Sequence, residues 1–304
     1  MQSAVITRRL TRRDVQSIED LIRVAEMSRG YRPVSDQFWL DLHQGVDRDD
    51  ADVGPDSNAQ FIDEDGRLIA YAQARVVGPA WRLESVSRDD DHIAAAALAA
   101  VIDASLSDAA SHGSTDAMWL VQGPTARHEN IASSRALLVD RQLHQMRRSL
   151  PTGIAFQIDT RPFDPDRDVD EFVEVNARAF AWNPEQSSWT SASVHDRMRE
   201  PWFDHAGFLI HEREGRMAGF CWTKTHDDDE SPIGEIYVIA VDPDFHGLGL
   251  GRDLTLAGLD SIARRGISTG MLFVDAENVS AVRIYDRLGF VIHRTDTLFR
   301  GRIA

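Results

Sequence analysis

A chain of 304 residues, 42% of them apolar, is long enough for two globular cores. Its 49 acidic against 33 basic side chains, a net charge of −16, argue against nucleic acid or an anionic membrane surface as the partner. The single Cys221 excludes a disulfide framework and a thiolate metal cluster. With no signal peptide and no apolar run near the roughly 20 residues of a membrane span, a cytoplasmic protein is expected.

Taken in order, the elements come twice. "RDVQSIEDLIRVAE" from Arg13 carries apolar residues at helical spacing behind an acid able to cap it, and "RDVDEFVEVNARAF" from Arg167 does the same. "SDQFW" (Ser35 to Trp39) is answered by "PEQSSW" (Pro184 to Trp189). "FIDEDGRLIAYAQA" from Phe61 and "FLIHEREGRMAGFCWT" from Phe208 each read as a β-hairpin, two apolar runs around a charged turn with glycine. "ENIASSR" and "ENVSAVR" close the series. The offset stays at about 150 residues, which predicts a tandem repeat divided near Ser149 to Phe156, with domains over 1–150 and 151–304.

The second copy is the richer one. "EIYVIAV" (Glu235 to Val241) is a strand stopped by Asp242-Pro243, because proline cannot donate to a ladder. "DFHGLGLGRDL" follows, with Gly247, Gly249 and Gly251 at alternate positions, and then "GRDLTLAGLDSIARR" (Gly251 to Arg265) with a helical apolar stripe. "MLFV" from Met271 is a buried strand, "NVSAVRIYDRL" from Asn278 is a helix with a capping residue in front and Gly289 behind, and "FVIHRTDTLF" returns as a strand. Glycine costs backbone entropy, so three in such a turn require a reason. A turn whose free amides feed a helix start binds anions, and missing side chains let a pyrophosphate approach that backbone. Neither the P-loop pattern nor GxGxxG spacing fits.

The run "EIYVIAVDPDFHGLGLGRDL" with "ENVSAVRIYDRLGF" resembles the acetyl-CoA site of the GNAT family of N-acetyltransferases. The family's Gln/Arg-x-x-Gly-x-Gly/Ala signature falls on His246 to Gly251, with histidine as a departure at its first place. The resemblance implies two tandem GNAT-type domains, each a twisted mixed sheet flanked by helices, and acetyl-CoA as co-substrate without a metal. Dense likeness over residues 170–300 extends to tandem GNAT enzymes that acetylate the cysteinyl amine of cysteinyl-glucosaminyl-inositol, a small-molecule partner. Another amine acceptor (a protein N-terminus, a polyamine or an antibiotic) and a noncatalytic CoA-binding role stay open alternatives, and a monomer is expected. The first copy has no glycine between Gly78 and Gly113 and places Asp89, Asp90 and Asp91 where a phosphate would lie. No tyrosine there answers Tyr285, so this copy reads as degenerate and noncatalytic.

By the same resemblance, Glu235 is the general base that deprotonates the amine, and Tyr285 the general acid for the leaving thiolate. Main-chain amides of Ile239, Ala240 and Val241 hold the thioester and pantetheine. His246, Gly247, Leu248, Gly249, Leu250, Gly251 and Arg252 hold the pyrophosphate. Phe273 with Asn278, Val279, Ser280, Ala281, Val282 and Arg283 flanks the other arm of the coenzyme. Asp36, Glu185, Lys224 and Glu235 contact the acceptor. Strand alternation places Glu235, Tyr237 and Ile239 on one face. His43, His92, His195, His205 and His226 lack metal-ligand spacing and are expected to face solvent. The acidic run from Asp227 to Glu230 is expected to be a solvated loop, and Cys221 buried and inert.

Overall fold

The computed structural model describes residues 4–8, 10–47, 56–77, 80–89, 93–226 and 232–303. In chain order these form β1 (Ala4–Ile6), α1 (Arg12–Arg29), α2 (Asp36–Asp47), β2 (Ser57–Ile62), β3 (Leu68–Val77), β4 (Ala80–Ser87), α3 (Ala94–Ser111), β5 (Asp116–Val121), α4 (Ala126–Ser133) and β6 (Leu138–Ser149). Then come β7 (Arg161–Pro162), α5 (Pro165–Ala179), α6 (Pro184–Ser187), α7 (Ser191–Met198), β8 (Phe208–Arg213), β9 (Arg216–His226), β10 (Ile233–Val241), α8 (Leu250–Arg264), β11 (Thr269–Asp275), α9 (Val279–Arg287) and β12 (Val291–Arg302). The chain falls into two units, Met1–Leu143 with Arg294–Ala304, and His144–His293. The division thus lies ahead of the expected boundary at 150, and the C-terminal segment returns to the first unit.

Local chemistry explains the helix ends. Thr11 and Asp14 form a capping box at α1, and Gly30 closes it in the left-handed region at φ 72°. Asp164 caps α5, with Pro165 in the first turn where its missing N–H costs nothing. Asn278 caps α9 by accepting from the amide of Ala281. Helix α3 has a mean hydropathy of 1.3 over its 18 residues, yet Ala97, Leu98, Val101 and Ile102 lie in the first unit's core.

Strand order in the first unit is β1-β2-β3-β4-β5-β12, antiparallel except for β4 beside β5. In the second it is β6-β11-β10-β9-β8-β7, with β10 and β11 parallel and β9 antiparallel to both of its neighbours. The second unit's sheet is covered on both faces. Leu254, Leu259, Ile262 and Leu272 pack on the side of α8, and Phe172, Phe208, Phe220 and Trp222 pack on the side of α5 and α7. Gly258 lets α8 lie against the sheet, since a Cβ there would meet Cys221 Sγ at 2.4 Å. Cys221 is fully buried, and burial pushes its thiol up to about 12, which makes it inert.

Candidate active site

The site lies where β10 leaves the regular sheet. Pairing with β9 runs from Ile233 opposite His226 to Ile236 opposite Thr223, and then resumes at Val238 opposite Trp222, so Tyr237 is the extra residue of a bulge. The bulge corrects the alternation expected from sequence. Glu235 and Tyr237 share the α5 side, but Ile239 and Val241 pack on the α8 side, because one inserted residue exchanges the faces. Parallel pairing with β11 ends at Ile236 opposite Leu272, and beyond it a gap opens between the two strands. The amide of Asp242 donates to Ala218 of β9 (3.0 Å), so by alternation Ala240 also turns its main chain to β9, while Ile239 and Val241 turn theirs to the gap.

Past the gap, the glycine turn enters α8. Gly247 and Gly249 have φ of 80° and 78°, values that glycine adopts without strain. Gly251 is different. It lies in the helix, and a Cβ there would meet only Val241 Cγ2 at 3.9 Å, so neither backbone conformation nor internal packing calls for a glycine. Among the described residues no atom accepts from the amides of Gly247, Leu248, Gly249, Leu250 or Gly251. Five unpaired donors at a helix start, with one position kept bare toward the outside, fit a diphosphate. His246 is exposed, and its Nε2 donates back to the Val241 carbonyl at 3.1 Å, shaping the turn. Arg252, also exposed, is held by Asp253.

Glu235 is 7% exposed, and its Oε2 lies 2.5 Å from Nε2 of His226. Lys224, directly opposite Glu235 on β9, places Nζ 5.2 Å from the Trp202 ring centre and 5.9 Å from that of Tyr237. Arg197 of α7 stacks at 3.9 Å over Trp189 and donates from Nε to the Tyr237 hydroxyl at 3.1 Å. These aromatic rings and cations form a wall beside Glu235. Sequence reading passed over Arg197, Trp189, Trp202 and the pairing of His226. The cross-strand count from Glu235 to "WTKTH" was the available signal for the last of these.

Tyr285 is buried in the α8-side core at 5.7 Å from Phe290, and burial raises its phenol well above the usual value. No described residue hydrogen-bonds its hydroxyl. Phe273, on β11 beyond its last pairing with β10, is half-buried, while Val279, Ser280 and Arg283 of α9 are exposed. Asp36 and Glu185 lie in α2 and α6, with side chains outside the described residues.

The other histidines divide. His195 and His205 are exposed as expected, but His43 is not free in solvent: its ring bridges Glu19 at 2.9 Å and the Trp39 carbonyl at 2.8 Å. His226 is the main correction, drawn inward by Glu235. His92 and residues 227–231 lie outside the described residues, and no cluster able to hold a metal occurs among those described.

The first unit repeats the register without the apparatus. Glu84 pairs across from Gln73 on β3 and Leu120 on β5, and Glu235 across from Lys224 and Met271, every member shifted by 151 residues (235 − 84, 224 − 73, 271 − 120). Yet β4 runs without a bulge, and Glu84 is occupied by the Ser35 amide (3.0 Å) and hydroxyl (2.7 Å). Asp89 pairs with Arg29 through two contacts of 2.6 and 2.9 Å. Asp90 and Asp91 lie outside the described residues.

A bulged and splayed strand, a glycine turn into a helix and a buried carboxylate together define an acyltransferase of the GNAT class. The acetyltransferase (GNAT) family model matches residues 175–290. Among solved structures, a GCN5-related N-acetyltransferase from Sphaerobacter thermophilus superposes with a TM-score of 0.75 at 18% identity, covering 98% of this chain and 96% of that one. A tandem GNAT protein from the clavulanic acid biosynthesis pathway gives 0.69 at 14% identity, over 99% of both chains. At these identities the likeness concerns the fold. Sequence relatives are more specific. The mycothiol acetyltransferase of Thermobispora bispora is 36% identical over 94% of this chain and 96% of its own length, and that of Mycobacteroides abscessus is 34% identical over 95% and 96%. The chain belongs to the mycothiol acetyltransferase family.

Proposed function

We propose that this enzyme transfers an acetyl group from acetyl-CoA to the cysteinyl amine of cysteinyl-glucosaminyl-inositol, giving mycothiol. The observation that carries the reading is the row of unpaired amides from Gly247 to Gly251, bare of side chains at Gly251, beside a strand that bears one buried carboxylate. The family names of the relatives support the acceptor.

When bound, acetyl-CoA supplies an activated acyl thioester. The turn from His246 to Arg252 would hold its diphosphate, Ile239 and Val241 would present main-chain groups to its pantetheine in the strand gap, and Phe273 with residues 278–283 would flank its remaining arm. An α-amino group with an ordinary pKa near 8 is mostly protonated at neutral pH, so attack requires a base. Glu235 takes that proton, directly or through a water. Tyr285 then protonates the departing sulfur, as burial keeps its own proton in place. Lys224, Trp202 and Tyr237 form the wall against which the polyhydroxylic acceptor lies, with Glu185 as a further contact. The first unit is noncatalytic in this scheme: its Glu84 is engaged by Ser35, its Asp89 by Arg29, and Ser134 stands 151 residues before Tyr285.

The test is incubation with acetyl-CoA and cysteinyl-glucosaminyl-inositol, with glucosaminyl-inositol as the control, followed by mass spectrometry. A gain of one acetyl group on the first compound alone is expected. Absence of transfer to it, with an intact acetyl-CoA complex, would refute the acceptor.

A further inference from the structure

Glu235 is nearly sealed from water, so what orients its carboxylate matters as much as what it abstracts. On β9, Lys224 stands directly opposite and His226 stands opposite Ile233, which makes His226 the diagonal neighbour of Glu235 on the same face. The 2.5 Å approach of Nε2 to Oε2 is a charge-assisted hydrogen bond, and against an ionised carboxylate the ring nitrogen must be the donor. The His226 side chain is 28% exposed against 9% for that of Glu235. Among the described residues the ring's hydrogen-bond partner is the carboxylate of Glu235.

We propose that His226 is a positioning residue for Glu235: its Nε2–H holds Oε2, fixes the plane of the carboxylate and leaves Oε1 for the proton of the incoming amine. The inference rests on the reading of Glu235 as the base. Other polar groups on this face are Lys224 of β9, Tyr237 of β10 and Arg197 of α7, which reaches the Tyr237 hydroxyl. From β11 the residue level with Glu235 is Met271, which brings no charge. Residues 227–231, which follow His226, lie outside the described residues.

The experiment compares His226→Leu, His226→Gln and His226→Asn with the unaltered enzyme, measuring kcat and acceptor KM at saturating acetyl-CoA. The leucine variant should lose about tenfold or more in kcat, with acceptor KM changed by less than about threefold. Glutamine, which can donate the same bond, should recover most of the rate. Asparagine, too short to reach, should behave as leucine does, and serves in its place if leucine lowers the melting temperature. An unaltered rate in the leucine and asparagine variants would overturn the proposal. So would a loss confined to acceptor KM, or one that glutamine does not relieve in a protein of unchanged melting temperature. Glu235→Gln, run alongside, separates the two ideas: if it retains turnover, the base assignment fails; if it is inactive while the leucine and asparagine variants match the unaltered enzyme, only the role of His226 fails.

Discussion

Glu235 and Tyr285 lie on opposite faces of β10. Gly234, next to Glu235, faces α8, where an added Cβ would meet Ile262 at 2.2 Å, so Glu235 points the other way, toward His226. Tyr285 packs with Ile236 in the α8-side core. On the proposed assignment, an acyl group in the gap beyond Ile236 and Leu272 would meet its base from one face and its acid from the other. Glu235→Gln should therefore lower kcat by about 10²- to 10⁴-fold while acetyl-CoA affinity, read by calorimetry, stays within about twofold. Glu84→Gln, at the matching register in the first unit, should leave kcat unchanged. Comparable losses in both variants would contradict the division of labour between the units.

Tyr285→Phe removes only a hydroxyl that no described residue bonds, so its folding cost is small. We expect kcat to fall about 10- to 100-fold in a protein of nearly unchanged melting temperature. Burial raises the phenol, so no alkaline loss of activity below about pH 10 should trace to this side chain. An alkaline limb near neutrality that disappears in the phenylalanine variant would contradict that.

Gly251 gives the sharpest separation of binding from stability. Alanine is favoured over glycine inside a helix by up to about 1 kcal/mol, and there is room for its methyl group. Gly251→Ala should melt at the same temperature or slightly higher, yet bind acetyl-CoA at least about tenfold more weakly by calorimetry. Gly249→Ala, at φ 78°, should instead lose roughly 1 kcal/mol of stability in urea denaturation.

Acid should reach the first unit through Asp14. Burial alone would raise its carboxyl, but hydrogen bonds from Arg8 and Thr11 outweigh burial and hold it near 2, against an ordinary 3.8. A lowered folded-state value means the stabilisation is complete above about pH 4 and fades as pH falls toward 2, worth on the order of 2 kcal/mol. The stability difference between the unaltered protein and Asp14→Asn should therefore shrink between pH 6 and pH 2. A difference independent of pH would show that the ion pair with Arg8 does not act this way.

Much of this was legible in the residues. Hairpins announced themselves through "DEDG" and "EREG" turns, and the alternating Gly247, Gly249 and Gly251 marked the turn that enters α8. What escaped was whatever depends on a broken period. The bulge at Tyr237 leaves no composition signal, so the two-residue alternation carried Ile239 onto the wrong face. The pairing of His226 with Glu235 becomes legible only when the hairpin register is counted across the acidic stretch between them. Arg197 reaches Tyr237 from a helix that is separate in sequence, and such a meeting is set by packing rather than by local pattern.

The path of β12 has a practical consequence. Residues 297–302 of that strand line the outer side of β5, so the N-terminal half, cut from the rest at residue 143, would present β5 as a raw border of unpaired peptide groups. With the last strand lent to the first half in this way, no single cut of the chain yields two self-contained modules.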